Sequence, residues 1–269
     1  MKRFELKDRT AIVTGAASGI GRALATVLTG RGCHLAIADV DDLGLAETEK
    51  MAAARDVRIT RHHLDVSDKD AVAAFPREVA SAHPRVDVLV NNAGIALGGC
   101  FVDVAEDDFE RLIAINFFGV VRMTRAFLPV LSVSDDARIV NLSSIFGIVA
   151  PPGQTAYCAS KFAVRGFSES LRKELAATTV GVTVIHPGGV KTSIARSAKP
   201  PAGASEKDKA RTLRTFERAL KMPPEEAAEQ IVDGIERRKD RVLVGTDAKL
   251  ASLLERIVPT RYWDVLKRL

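Results

Sequence analysis

Short apolar, β-branched runs alternate with longer amphipathic stretches along the chain. The runs predict strands at Thr10–Thr14, His34–Ala38, Val57–Leu64, Val86–Asn91, Arg138–Leu142, Val180–His186 and Val242–Val244. Several are continuously apolar instead of alternating, the pattern of strands covered on both faces. Between them, helical spacing predicts helices at about 20–30, 42–54, 68–82, 105–131, 154–178 and 224–238. Repeated strand–helix–strand order calls for right-handed crossovers, and so for a parallel sheet with helices on both faces. The expected fold class is α/β, a single doubly wound parallel sheet of about seven strands formed by residues 1–269 as one domain. No internal repeat or interdomain linker interrupts it, and Ser197–Glu206 reads as a surface loop.

Composition narrows the class without naming a chemistry. Of 269 residues, 46% are hydrophobic and 27% charged, close to the average soluble chain, which excludes disorder, collagen and coiled coil. No uninterrupted apolar run approaches the roughly 18 residues of a membrane span. The N-terminus, with Lys2, Arg3, Glu5, Lys7, Asp8 and Arg9, has no apolar segment of a secretory signal, so the expected location is the cytoplasm. Three cysteines, Cys33, Cys100 and Cys158, are too few and scattered for a disulfide framework or a zinc site. The His62-His63 pair has no third ligand near it in sequence, so no metal is expected. A net charge of +5, spread over mixed-sign sequence without interleaved aromatics, does not describe a nucleic-acid surface.

The candidate chemistry begins where the first strand meets a helix. Gly15, Ser18, Gly19, Ile20 and Gly21 lie in Thr14-Gly-Ala-Ala-Ser-Gly-Ile-Gly21, a glycine-rich turn that lets backbone approach a pyrophosphate at a helix N-terminus. A plain tight turn is the alternative; the strand before and the helix after favour the nucleotide. Asp39 ends the second strand, 18 residues past Gly21, where a carboxylate accepts from ribose hydroxyls and repels a 2′-phosphate. The expected cofactor is therefore NAD, although Arg22 is near in sequence and Asp39 could instead cap the next helix.

Tyr157 and Lys161 stand at i and i+4, on one face of a helix that opens 13 residues after Ser144. A phenol titrates near 10, and an ammonium beside it favours the phenolate that can take a proton at neutral pH. Ser144 is placed to hydrogen-bond a substrate oxygen as charge develops on it. A solvated helix face is the usual reading of such a pair, but this chain has only two tyrosines, and this one follows a strand at the carboxyl edge of the sheet.

Thr14–Gly21, Asn91-Asn92-Ala93-Gly94, Asn116, Ser144, Tyr157, Lys161 and Pro187-Gly188 together resemble the short-chain dehydrogenase/reductase family, with the motifs in order over residues 8–192. The resemblance implies a Rossmann-type fold and an oxidoreductase with a Ser-Tyr-Lys-Asn tetrad. It implies that Asp65 and Val66 face the adenine, and that Asn91, Asn92, Ala93 and Gly94 brace the central sheet beside the cofactor. It gives Lys161 a second role on the nicotinamide ribose and Asn116 that of anchoring a proton-relay water. Val190 and Thr192, after Pro187-Gly188, would contact the carboxamide. A homodimer or homotetramer is implied through the helices at 105–131 and 154–178. Taken alone, Asn91 and Asn92 read equally as turn formers and Asn116 as a satisfied buried amide.

The substrate side reads as apolar. Ile145–Gln154 carries no charge, and Ile95, Ala96 and Leu97 extend that character, so the expected partner is a hydrophobic secondary alcohol or ketone of lipid, steroid or terpenoid type. Core packing is the competing account of these side chains. A substrate lid is expected over 193–222, around Arg196, Lys199 and Pro200-Pro201. Residues 246–269 form an amphipathic extension, with Leu250, Leu253, Leu254, Ile257 and Val258 at helical spacing, Pro259 as a stop, and a second stripe at Tyr262, Val265, Leu266 and Leu269. Packing on the sheet or a neighbouring subunit, closing the substrate pocket, and lying on a membrane surface are its three open readings. The rival functions are the same chemistry with NADP, and a sensor that binds dinucleotide without turning it over.

Overall fold

Seven parallel strands lie in the order β3-β2-β1-β4-β5-β6-β7 in the computed structural model, which describes residues 3–195 and 220–267. They are β1 (Thr10–Thr14), β2 (His34–Asp39), β3 (Ile59–His63), β4 (Val88–Asn91), β5 (Ala137–Leu142), β6 (Val180–Pro187) and β7 (Arg241–Val244). Winding proceeds outward from β1 through β2 to β3, then restarts at β4 on the other side of β1. The carboxyl ends of β1 and β4 therefore feed chain in opposite directions, which opens a crevice above them.

Alternate residues of the central strands serve two cores. Val13, Val90 and Ile185 pack against Leu24 and Leu28 of α1 (Gly19–Gly30), Leu45 of α2 (Asp42–Ala52) and Ile231 and Ile235 of α7 (Pro224–Glu236). On the other face, Ile12, Leu89 and Ile139 meet Phe75 of α3 (Lys69–Ala82), Phe127 of α5 (Gly119–Leu131) and Leu171 of α6 (Thr155–Glu174). β4 starts two residues later than its apolar run because Asp87 is diverted: its buried carboxylate accepts the Thr10 N–H at 3.0 Å and an Arg9 guanidinium at 3.0 Å.

The helix expected over 105–131 is three pieces. α4 (Glu106–Ile113) passes through a single π turn, Ala114–Phe118, into α5. Glu106–Leu131 is long enough to cross a membrane and contains an 18-residue stretch of mean hydropathy 1.3. Its Leu112, Met123, Phe127 and Leu131 are buried within this protein, as in a core helix.

After β7 come α8 (Thr246–Ile257) and α9 (Tyr262–Leu266). Of the open readings of the apolar stripe, packing of its leucines on the chain's own sheet is not what the structure shows: Leu253 and Ile257 are 54% and 65% exposed, while Ala248, Ala251 and Ser252 are buried. The expected lid at 193–222, with Arg196, Lys199 and Pro200-Pro201, lies mostly outside the described residues.

Candidate active site

The glycine-rich turn is shaped by contact with the end of β4. Gly15 and Gly19 hold φ of 64° and 53°, a conformation that disfavours side chains. A Cβ on Gly15 would come within 2.7 Å of the Ala93 Cα, and one on Gly21 would overlap the Gly15 carbonyl. Asn92 Nδ2 donates to the Thr14 and Gly15 carbonyls, each at 2.9 Å, so Asn92 and Ala93 buttress the turn as the motif implies. Asn91 is not a turn former: it lies in β4 and its amide donates to Asn141 Oδ1 at 2.8 Å.

The turn ends at a helix start suited to an anion. Asp41 and Asp68 cap α2 and α3 with their carboxylates, whereas Ser18 makes no such cap on α1, whose first turn holds no acidic residue. Free N–H groups and the positive end of the dipole remain for a phosphate. Thr192 closes the other side, its methyl 3.0 Å from where a Gly19 Cβ would sit. These features fit a dinucleotide pyrophosphate.

Asp39 stands at the tip of β2 and is not a helix cap, because Asp41 does that work through Gly44 N–H at 3.0 Å. The Asp39 carboxylate accepts the Ala17 amide at 3.0 Å and the Val40 amide at 2.8 Å, which ties the glycine-rich turn to β2 and leaves lone pairs for a ribose. Arg22 is turned away onto α2, donating to Glu47 at 2.9 Å, to Thr48 Oγ1 at 3.0 Å and to the Ala17 carbonyl. Asp65 follows β3 on the same edge and its carboxylate accepts from Ser67. Val66, next to it, packs its side chain in the core against Gly119.

Ser144, Tyr157, Lys161 and Asn116 converge at the carboxyl end of β5 and the first turns of α6. Lys161 is buried, donates to the Leu142 carbonyl at 3.0 Å, and sits 5.6 Å from the centre of the Tyr157 ring. Ser144 stands beside the Tyr157 phenol and favours its ionised form. Burial pushes the phenol up to about 12, against the lowering effect of Ser144, and pulls the ammonium down to about 8. Two ionisable groups sharing a desolvated pocket each resist charging, so the polypeptide alone does not make the phenol acidic.

Asn116 occupies the π turn. Its Oδ1 accepts from Ile95 N–H at 2.8 Å and its Nδ2 donates to the Ile95 carbonyl at 2.9 Å and to Ser160 Oγ at 3.3 Å. Both amide hydrogens are thus given to the protein, and the side chain pins segment 95 to α6.

On the substrate side, Ile148 and Val149 are core residues, buried with Ala251 and packed against the half-buried Tyr262 and Leu266. The Tyr262 hydroxyl accepts the Ala150 N–H at 3.0 Å, so the C-terminal extension packs beneath the substrate segment. Phe146, edge-on to the Tyr157 ring with centres 6.2 Å apart, and Ile95 and Leu97 keep apolar surface beside the phenol. Asp247, which no sequence signal singled out, inserts from α8: it accepts the Gly189 N–H at 2.6 Å and fills the space that the missing side chains of Gly188 and Gly245 leave. Pro187 and Val190 are buried in this turn, and Val190 pairs with Met222. His62 and His63 bond Glu78 and Asp42, and no group of three metal-ligating side chains occurs among the described residues.

A nucleotide-type helix start, an acidic β2 tip and a Ser-Tyr-Lys-Asn cluster on one crevice define an oxidoreductase of the dinucleotide-binding α/β class. The profile of the short chain dehydrogenase family matches residues 9–202, and the chain belongs to that family. It is 46% identical to SadH of Mycobacterium tuberculosis over 266 residues, 97% of this chain and 94% of SadH. It is 40% identical to the oxidoreductase UcpA of Salmonella typhimurium over 204 residues, 73% of this chain and 76% of UcpA. A short-chain dehydrogenase/reductase of Burkholderia phymatum, solved in complex with NAD, superposes with a TM-score of 0.85 at 30% identity, covering 98% of this chain and 96% of that one.

Proposed function

We propose that the protein is an NAD(H)-dependent oxidoreductase that interconverts an apolar secondary alcohol and its ketone. The observation that carries the reading is the buried Lys161 ammonium 5.6 Å from the centre of the Tyr157 ring, with Ser144 beside the phenol at the end of β5. When bound, the oxidised nicotinamide supplies a hydride acceptor and a positive charge beside the phenol. Tyr157 Oη takes the proton of the alcohol, or returns it in reduction. Ser144 donates to the same oxygen as charge builds on it, and Lys161 offsets the charge of the phenolate. Asn116, by fixing segment 95 and α6, holds the proton path in place.

Asp39 and the engagement of Arg22 with Glu47 support NAD over NADP. The NAD-bound Burkholderia phymatum relative supports the same choice. Phe146, Ile95 and Leu97 support an apolar substrate, since none offers a donor to a sugar or small acid. Free Cys33, Cys100 and Cys158 support a reducing, cytoplasmic setting. Exposed Phe118 and Phe162, on the two helices through which the family pairs, support a homodimer or homotetramer.

The test is NADH formation at 340 nm over secondary alcohols of graded chain length. We expect kcat/KM to rise with apolar size, and Tyr157→Phe to lower kcat by about 10²–10⁴-fold with NADH affinity nearly unchanged. Full activity in that variant overturns the mechanism, and indifference to chain length overturns the substrate class.

A further inference from the structure

Ser144 begins where the sheet ends. The last ladder bond between β5 and β6 runs from Ser143 N–H to the Ile185 carbonyl at 2.8 Å, after which the chain departs into the Ile145–Gly147 turn. The Ser144 carbonyl thus leaves the ladder within a buried stretch and accepts the Gly147 N–H at 2.9 Å inside the turn. His186, on β6, supplies its second donor and the one that ties it back to the sheet: the imidazole Nδ1 lies 2.9 Å from that oxygen and the residue is wholly buried. A carbonyl only accepts, so Nδ1 carries the proton. Burial, aided by Arg241 and Arg165 and opposed by the Ser144 bond and Glu169, pulls the imidazole pKa down to about 4, so the ring is neutral at working pH. Among the described residues its Nε2 has no hydrogen-bond partner. An apolar side chain would fill this place without burying a lone nitrogen, so the Nδ1 bond is the reason for an imidazole here.

The same turn is held from α6. Arg165 Nη1 donates to the Gly147 carbonyl at 3.4 Å, and Ser143 Oγ donates to the Lys161 carbonyl at 2.8 Å. Within it, Ser144 Oγ accepts the Phe146 N–H at 3.1 Å. A fixed Ser144 carbonyl fixes ψ of that residue, and with it where the turn carries the Oγ relative to Tyr157. Resting on the reading of Ser144 as the donor to the substrate oxygen, we propose that His186 is a positioning residue for Ser144, acting through its backbone carbonyl.

Two substitutions separate this from a packing role. His186→Asn places an amide N–H near the position of Nδ1, whereas His186→Leu has none. We expect His186→Leu to lower kcat by about 10–100-fold with KM and NADH affinity within about twofold, because a small misplacement of a reacting group costs rate and not binding. His186→Asn is expected to recover kcat to within about threefold. In a Ser144→Ala background, His186→Leu should add less than about twofold, since both act through one group. An undiminished kcat in His186→Leu, or an equal loss in the Ser144→Ala background, overturns the proposal. If His186→Leu does not fold, His186→Gln, whose amide sits one bond further out, serves against His186→Asn, and equal kcat in that pair overturns it. Hydrogen exchange at Phe146 reads the turn without turnover: about tenfold faster exchange in the donor-less variant is expected, and unchanged exchange overturns the proposal. A wild-type chain that oxidises no alcohol but shows the exchange change fails the oxidoreductase reading alone.

Discussion

Asp39 and Lys161 show how single side chains carry opposite burdens at this site. Asp39 serves the turn, through the Ala17 amide, and is placed to serve the ribose. We expect Asp39→Ala to weaken NAD by about tenfold while weakening NADP less, so that the ratio of the two dissociation constants narrows; an unchanged ratio in fluorescence titrations would refute the assignment. Glu47→Ala, which releases Arg22 from its ion pair, should strengthen NADP binding further. Lys161 carries its charge at a cost. Its folded pKa of about 8 lies below the ordinary 10.5, so at neutral pH the folded state is held back by an ammonium it would shed. Between pH 8 and 10.5 the unfolded chain binds more protons, and stability contributed by this site rises with pH, by about 3 kcal/mol across the window. Denaturant titrations of wild type against Lys161→Met should show the difference moving in favour of the wild type over that window, with none of that movement below pH 7. Tyr157 works the other way: with a folded pKa near 12, its site loses stability between about pH 10 and 12.

Among the elements, the junction of β5 with α6 is the most constrained. A Cβ on Gly147 would overlap Ser143 Oγ and come within 2.7 Å of the Lys161 carbonyl, so the turn and the helix have no slack between them. Gly147→Ala should therefore shift α6 away from Ser144, lowering Tm by about 4–8 °C and kcat by more than about tenfold. A variant with wild-type Tm and kcat would show that the turn can yield. α4 and α5 make the complementary point. Their axis is interrupted by a π turn at Asn116, which aims a buried amide at Ile95 and Ser160. A continuous α-helix would rotate that amide away, so the irregularity is what brings α6 and segment 95 together.

At the scale of the whole molecule, the C-terminal extension joins the site. Tyr262 supports Ala150, Asp247 supports Gly189, and Ala251 packs on Ile148 and Val149. A chain ending at Gly245 should lose catalytic turnover and not merely solubility, whereas Tyr262→Phe, which strands one N–H, should cost about 1 kcal/mol by denaturation. Turnover by the shortened chain equal to the full-length one would remove the extension from the site. The outward Leu250, Leu253 and Ile257 stripe is separate from this support, since the buried face of α8 is its small-residue face.

The alternation of apolar runs determined the sheet and its helices, because burial of strands on both faces leaves few other arrangements for such a pattern. Rare residues at tight spacing determined the candidate tetrad and the glycine-rich turn: a tyrosine and lysine four apart share a helix face in any fold. What pattern could not reach was anything set by approach between distant segments. Which face of α8 packs was not set by periodicity: Ala248, Ala251 and Ser252 are buried while Leu253 and Ile257 face outward. Asp247 fills room vacated by two glycines far apart in sequence, His186 reaches a carbonyl just past the end of a neighbouring strand, and burial raises the Tyr157 phenol because desolvation belongs to a pocket and not to a pair. Local spacing fixes which groups are neighbours along an element; only the packed fold fixes the distances, burial and dielectric that decide what those neighbours do.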